Sequence, residues 1–173
     1  MHRHLRIALL SFSLFLYSSV SKANGTDSIQ VYIFLSETCP ICQNSSLSLR
    51  SVYKEFKDSG ISFTGVFPNI NMSSSESLAH YGRKYKLDFP LILDHERKLT
   101  QQLGATHTPQ VYVLRISDQM ILYKGKIDNT YEALGKKRQV VTEQYLRLTL
   151  QQILANQDID PSATIPLGCY ILK

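Results

Sequence analysis

The sequence predicts an α/β sandwich in which a central mixed β-sheet is flanked by helices. Three observations predict it. Runs with the apolar pattern of buried strands alternate with segments whose apolar residues recur every three or four positions, two strand-like runs follow one another across a tight polar turn, and an amphipathic helix comes last. At 173 residues, 43% hydrophobic and 19% charged, with eight Gly and six Pro, the chain has the composition of one globular domain. That composition excludes collagenous, low-complexity and wholly disordered classes.

Residues 1–23 read as a signal peptide. Basic residues in His2-Arg3-His4-Leu5-Arg6 precede an apolar stretch from Ile7 to Val20, and Ser21-Lys22-Ala23 supplies small residues for cleavage before Asn24. The alternative is an uncleaved membrane anchor. Against it, the stretch is interrupted by Ser11, Ser13, Ser18 and Ser19 and falls short of the roughly 20 apolar residues of a spanning helix. Residues 24–173 are then an exported domain, periplasmic in a bacterium and otherwise secreted, with no stable membrane insertion after cleavage. Loss of Arg3, Arg6 and Lys22 takes the net charge from +5 to +2, so the basic balance belongs largely to the leader. It gives no basis for a nucleic-acid partner, which needs clustered Lys and Arg on the folded domain. The one basic run, Lys136-Lys137-Arg138, reads as a solvated approach to a helix. Sequons at Asn24, Asn44 and Asn71 are frequent by chance in a Ser-rich chain, and a glycan on Asn44 would crowd the helix it lies on, which favours a bacterial periplasm.

Ile29 to Leu35 is a nearly continuous β-branched and aromatic run, as in a strand buried on both faces. Cys42, Ser46, Leu49, Val52, Tyr53 and Phe56 then recur at helical spacing until Gly60. Ile61 to Phe67 gives a second strand, and Ser73-x-x-Glu76 reads as a capping box opening a helix through Leu78, Tyr81 and Tyr85. A short strand Leu91-Ile92-Leu93 is followed by a short helix from Glu96 to Leu103, ended by Gly104. Gln110 to Ile116 and Met120 to Tyr123 form a β-hairpin across Ser117-Asp118-Gln119. Val141, Tyr145, Leu148, Leu150, Ile153 and Leu154 mark a long helix over 139–156, and a tail ends in Gly168-Cys169-Tyr170-Ile171. The hairpin adds antiparallel strands to a parallel start, so the sheet is mixed.

This order resembles the thioredoxin fold, a three-layer sandwich. The match includes Cys39-Pro40-Ile41-Cys42 at a strand-to-helix junction and Thr108-Pro109 just before the hairpin, where that fold carries a cis-proline facing the cysteine pair. More narrowly, the chain resembles the secreted redoxin branch of the alkyl hydroperoxide reductase/thiol-specific antioxidant (AhpC/TSA) superfamily. That closer likeness rests on Glu37-Thr38-Cys39-Pro40-Ile41-Cys42, Thr106-His107-Thr108-Pro109-Gln110-Val111, Tyr123-Lys124-Gly125-Lys126-Ile127-Asp128-Asn129 and Gly168-Cys169-Tyr170-Ile171. It makes residues 24–173 a thioredoxin-like domain with a Cys-containing C-terminal tail.

In an oxidising compartment, a thiol pair tends toward a disulfide unless electrons are supplied. At the start of a helix, unpaired backbone N–H groups and the positive end of the helix dipole favour a Cys39 thiolate, the reactive form. Pro40 suits the first helical position, where its missing N–H costs nothing. Cys42, one turn on, lies close enough to attack a mixed disulfide formed at Cys39. Cys39 is therefore the candidate nucleophile and Cys42 the resolving thiol of a redox-active pair, with no further cofactor. A cis Pro109 would expose the Thr108 backbone beside Cys39, so that an extended substrate could pair with it as an added strand. His107 is either a modulator of the Cys39 proton or a plain surface histidine. His80 and His95 read as surface residues. Cys169 is a buried apolar residue, a second resolving thiol or a site of intermolecular pairing.

The leading function at this stage is an exported thiol–disulfide oxidoreductase acting on protein thiols and disulfides, with a redox partner supplying or accepting electrons. A copper-binding module using Cys39, Cys42 and His107 is the non-enzyme alternative, and adding Cys169 would complete a zinc set. A dedicated peroxidase is less favoured: the Pro-x-x-x-Thr/Ser-x-x-Cys loop of peroxiredoxins is absent, since Ser36 stands three before Cys39 but Tyr32 stands seven before it.

Overall fold

Apolar alternation along the first strand sets the architecture. The computed structural model describes residues 28–69, 73–160 and 162–172, so the leader and the sequons at Asn24 and Asn71 lie outside the described residues. In β1 (Ile29–Phe34), Ile29, Val31 and Ile33 face one apolar core, while Tyr32 and Phe34 face another. Both faces of this strand are covered, as the uninterrupted apolar run requires. The chain continues through α1 (Pro40–Phe56), β2 (Ile61–Phe67), α2 (Ser75–Tyr85) and β3 (Leu91–Leu93), with β1, β2 and β3 parallel. Because both crossovers step in the same direction across the sheet, α1 and α2 fall on one face.

The hairpin β5 (Gln110–Arg115) and β6 (Met120–Gly125) joins the other side of β1 antiparallel, so the sheet is mixed. On the face of α1 and α2, α4 (Tyr145–Leu154) buries Leu146 and Leu150 against Leu49, Val52, Val111 and Val113. The ion pair of Arg147 with Glu55, and Gln151 Nε2 donating to Glu55 Oε1 at 3.0 Å, hold α4 on α1. The opposite face is thinner. There Phe34, Val66, Tyr112 and Leu114 pack with Leu103 from α3 (Lys98–Leu103), and Ile171 of the tail lies against them. Phe34 and Tyr112 meet edge to face at 5.6 Å.

Several expectations shift in the structure. The capping box is one residue later than Ser73-x-x-Glu76: Ser74 accepts from Ser77 N at 3.1 Å, and Ser77 Oγ accepts from Ser74 N at 2.8 Å. The helix expected from Glu96 breaks at Glu96 and Arg97, with φ of 58° and 53°, into a 3-10 turn (His95–Arg97) followed by α3. The helix expected over 139–156 is α4 alone, because Asn129 Oδ1 accepts from the backbone N–H of Thr142 and Glu143 at 3.0 and 3.1 Å and holds that stretch out of the helix. Lys136-Lys137-Arg138 is not a helix approach: β8 (Lys136–Lys137) pairs with β7 (Tyr131–Ala133), and Glu132 forms ion pairs with Lys136 and Arg138.

The tail is a strap. β9 (Ser162–Ala163) adds to the sheet parallel to β6. The chain then returns, and β10 (Cys169–Tyr170) pairs antiparallel with β4 (His107–Thr108), the two residues before Pro109.

Candidate active site

Cys39 ends the loop after β1 and stands at the N-cap of α1, its backbone extended (φ −84°, ψ 112°) and Pro40 directly following. Its own N–H donates to Ser36 O at 3.3 Å, and its carbonyl accepts from Gln43 N at 3.1 Å. The helix is thus entered without a side-chain cap, which leaves its first N–H groups and positive dipole end beside the Cys39 sulfur. Cys42 lies one turn on, fully buried. The small buried residues Ser45 and Ser46 follow it on the same helix.

From the other side comes β4. The Thr108–Pro109 bond is cis, and the Thr108 carbonyl lies 3.1 Å from Cys39 Sγ, which donates to it as a thiol. Gln110, buried, holds this loop: its Oε1 accepts from the backbone N–H of Thr106 and His107 at 2.9 and 3.1 Å, and its Nε2 donates to the Tyr112 hydroxyl at 3.0 Å. Cys39, Cys42, Thr108 and Pro109 are therefore gathered at one end of the sheet. So is Cys169, whose Sγ is 2.9 Å from Cys39 Sγ. All three cysteines are free thiols. Of the alternatives for Cys169, simple burial is overturned, since the residue is exposed at the strap's surface.

The electrostatics single out Cys39. The Cys42 thiol donating to its sulfur, against the cost of burial and with help from Cys169, takes Cys39 from 9.0 down to about 4, so it is a thiolate near neutrality. Cys42 moves the other way, pushed well up by burial and then by the Cys39 charge. Burial and the same charge raise Cys169 to about 11. One thiolate thus sits between two thiol donors.

His107 lies beside this cluster without joining it. Its Nδ1 is 2.8 Å from Thr106 Oγ1 and its ring lies tilted against Tyr170, centroids 4.5 Å apart, while partial burial lowers its pKa. Among the described residues, no group of three or more His, Cys, Asp or Glu side chains is arranged to hold a metal, so Cys39, Cys42 and His107 do not form the expected copper set. His80 and His95 are exposed. Two residues of the site were missed in the sequence. Gln110 stood within the Thr106–Val111 motif and at the start of the hairpin strand, with no role assigned to its side chain. Tyr81, a helical apolar-face residue, has a buried hydroxyl without a hydrogen-bond partner, and burial above all raises its pKa.

Known proteins share this fold. Solved structures share the thioredoxin-like fold: an uncharacterised conserved protein of Geobacillus kaustophilus superposes with a TM-score of 0.74 at 21% identity, covering 84% of this chain and 77% of that one. A secreted Mycobacterium tuberculosis disulfide oxidoreductase superposes with a TM-score of 0.51 at 16% identity, covering 75% and 82%. In sequence, a chloroplastic peroxiredoxin Q of Sedum lineare is 33% identical over 86 residues, which is 50% of this chain and 44% of that protein. The chain therefore spans less than half the length of this curated relative. The AhpC/TSA family model matches residues 17–130, across β1, the cysteine pair, the cis-proline and the hairpin. On that match, which takes in more than half of its residues, the chain belongs to the AhpC/TSA family.

Proposed function

We propose that this protein is an exported thiol–disulfide oxidoreductase, with Cys39 as nucleophile, Cys42 as resolving thiol, and the Thr108 backbone before Pro109 as the edge along which a protein substrate aligns. The observation that carries this reading is geometric: Cys39 Sγ stands at the start of α1, 3.1 Å from the Thr108 carbonyl, with Cys42 one turn away. In the reducing direction, Cys39 Sγ attacks one sulfur of a substrate disulfide. The S–S bond breaks, and the other substrate sulfur leaves with the electron pair and takes a proton. Cys42 then gives up its proton and attacks Cys39, releasing the second substrate thiol and leaving a Cys39–Cys42 disulfide. A redox partner returns the two electrons. The oxidising direction is the same sequence reversed. His107, its ring tilted against Tyr170 beside β4 and its pKa lowered by burial, modulates the substrate edge in this scheme more than the Cys39 proton.

Stabilising the thiolate stabilises the reduced state, which moves a couple toward the oxidising end of the range. A redox titration with thiol trapping should give a potential nearer −120 mV than about −230 mV, with Cys169→Ser as the control. Insulin-disulfide reduction should fall to the reagent background in Cys39→Ser. Activity unchanged by that substitution would overturn the reading.

One observation favours a second reading: the curated relative is named a peroxiredoxin. The position seven before Cys39, where peroxiredoxins carry proline, is Tyr32 within β1. Hydrogen peroxide consumption well above that of a free thiol would move this reading to first place.

A further inference from the structure

The chain's own tail takes the strand position beside the cysteine pair. β10 runs antiparallel to β4, with Cys169 opposite Thr108 and Tyr170 opposite His107. The approach is close enough to require glycine at 168: a β-carbon there would lie 2.1 Å from Thr108 O and 2.7 Å from its carbonyl carbon. After the cysteine, Ile171 N donates to Thr106 O at 2.9 Å, Leu172 N donates to Asn69 Oδ1 at 3.2 Å, and the Arg97 guanidinium donates to Leu172 O. Exposure separates the three cysteines. Cys39 is 1% exposed and Cys42 0%, whereas Cys169 is open to solvent.

From this arrangement we infer that the C-terminal strand, residues 168–172, is a tethered substrate of the cysteine pair, and that Cys169 carries disulfide exchange between buried Cys39 and thiols outside. The inference rests on the thiol–disulfide reading above. The internal step balances without any outside oxidant. Cys169 loses its proton and attacks Cys39 Sγ of a Cys39–Cys42 disulfide; a Cys39–Cys169 bond forms as the Cys39–Cys42 bond breaks, and Cys42 keeps the electron pair and takes up the proton. An external thiolate then attacks the exposed Cys169 sulfur and expels Cys39. Cys39 is the better leaving group, because the thiol of lower pKa leaves faster. A second external thiol resolves the mixed disulfide, and two electrons have entered the protein. The template also defines what competes for the edge: an extended segment whose cysteine follows glycine, since the residue before the cysteine abuts the Thr108 carbonyl.

Mapping disulfides by peptide mass spectrometry, after diamide oxidation, acid quenching and alkylation, tests the inference. Wild-type protein is expected to hold both Cys39–Cys42 and Cys39–Cys169 linkages, and Cys42→Ser the Cys39–Cys169 linkage within one chain. Gly168→Ala keeps all three cysteines but places a methyl against the Thr108 carbonyl. It should cut the Cys39–Cys169 share several-fold and speed labelling of reduced Cys39 by a bulky maleimide by about tenfold or more, as expected when a covered site is opened. If Cys39–Cys42 forms and insulin is reduced, yet no Cys39–Cys169 linkage appears in wild type or Cys42→Ser, the tethered-substrate inference is overturned and the oxidoreductase reading stands. If Cys39 enters no disulfide in any variant, including Cys169→Ser, both fall together.

Discussion

At the scale of the residue, the electrostatics of the cysteine cluster centre on one sulfur. The Cys39 pKa is lowered because two neighbouring thiols donate to its sulfur, and its place where a helix leaves N–H groups unpaired acts in the same direction. Ultraviolet thiolate absorbance of the reduced protein should therefore titrate with a midpoint of about 4. Cys42→Ala should raise that midpoint more than Cys169→Ala, because the Cys42 hydrogen bond is the larger cause. The same shift links to stability. The folded value lies below the 9.0 of an ordinary thiol, so between these two values the unfolded chain binds more protons, and stability rises with pH. Cys39 contributes fully above about 9, and that contribution is lost as the pH falls through about 4. The raised values of Cys42 and Cys169 act with opposite sign only above 9.0. Denaturant titrations of the reduced protein against Cys39→Ser should thus diverge with rising pH across this window, and parallel curves would refute the assignment. Much of this residue-level picture was legible in the sequence, because Cys39, Cys42 and Pro40 form a local motif whose helix position follows from their neighbours. The partner contributed by Cys169 was not. It stands 130 residues from Cys39 in the chain, and a contact at that separation leaves no periodic trace.

At the scale of the element, the regular helices and strands followed their apolar periodicity, and the departures have separate physical causes. Asn129 draws the backbone of Thr142 and Glu143 out of the helix that their neighbours' spacing predicts, from 13 and 14 residues away. The two-residue strands β4, β8, β9 and β10 are too short to carry an alternation at all. Asp94 is a third case. Its carboxylate accepts from Leu99 N at 3.0 Å and from Thr100 N and Oγ1 at 2.8 and 2.6 Å, so it caps α3 across the left-handed residues Glu96 and Arg97. Arg97, so placed, donates to the tail at Leu172. Asp94→Ala removes a buried acceptor shared by three donors and should cost about 1–3 kcal/mol, by analogy with buried hydrogen-bond losses. Chemical denaturation measures this directly. Loosening of α3 should also speed maleimide labelling of Cys39, since α3 positions one anchor of the strap.

For the molecule as a whole, the two faces of the sheet are unequal. Among the described residues, three helices cover one face, whereas the other has α3 and the returning tail. This asymmetry places the strap over the thinner side and brings its end to the cysteine pair. The sequence order alone was enough to read the mixed sheet and the helix layers, because each crossover and hairpin has one favoured geometry. It could not reveal the return of the tail, whose residues pair with strands far from it in sequence.

The strap's first half has a consequence of another kind. β6 would be an edge strand, with a row of unpaired N–H and C=O groups open to any passing chain, and such edges template aggregation. β9 closes it along Tyr123 and Lys124, while β3 ends the sheet on the opposite side after only three residues. Gly125 permits this closure: its φ is 141°, and a β-carbon would come within 2.5 Å of Thr164 O and 2.9 Å of Thr164 N. Gly125→Ala should therefore leave the cysteine pair's helix intact yet shift the protein toward oligomers in sedimentation or light scattering, and a variant that stays monomeric would remove this role from the strap. Solubility and redox access are thereby tied to one short segment, so an event that lifts the tail from the active end loosens a guard on self-association at the other.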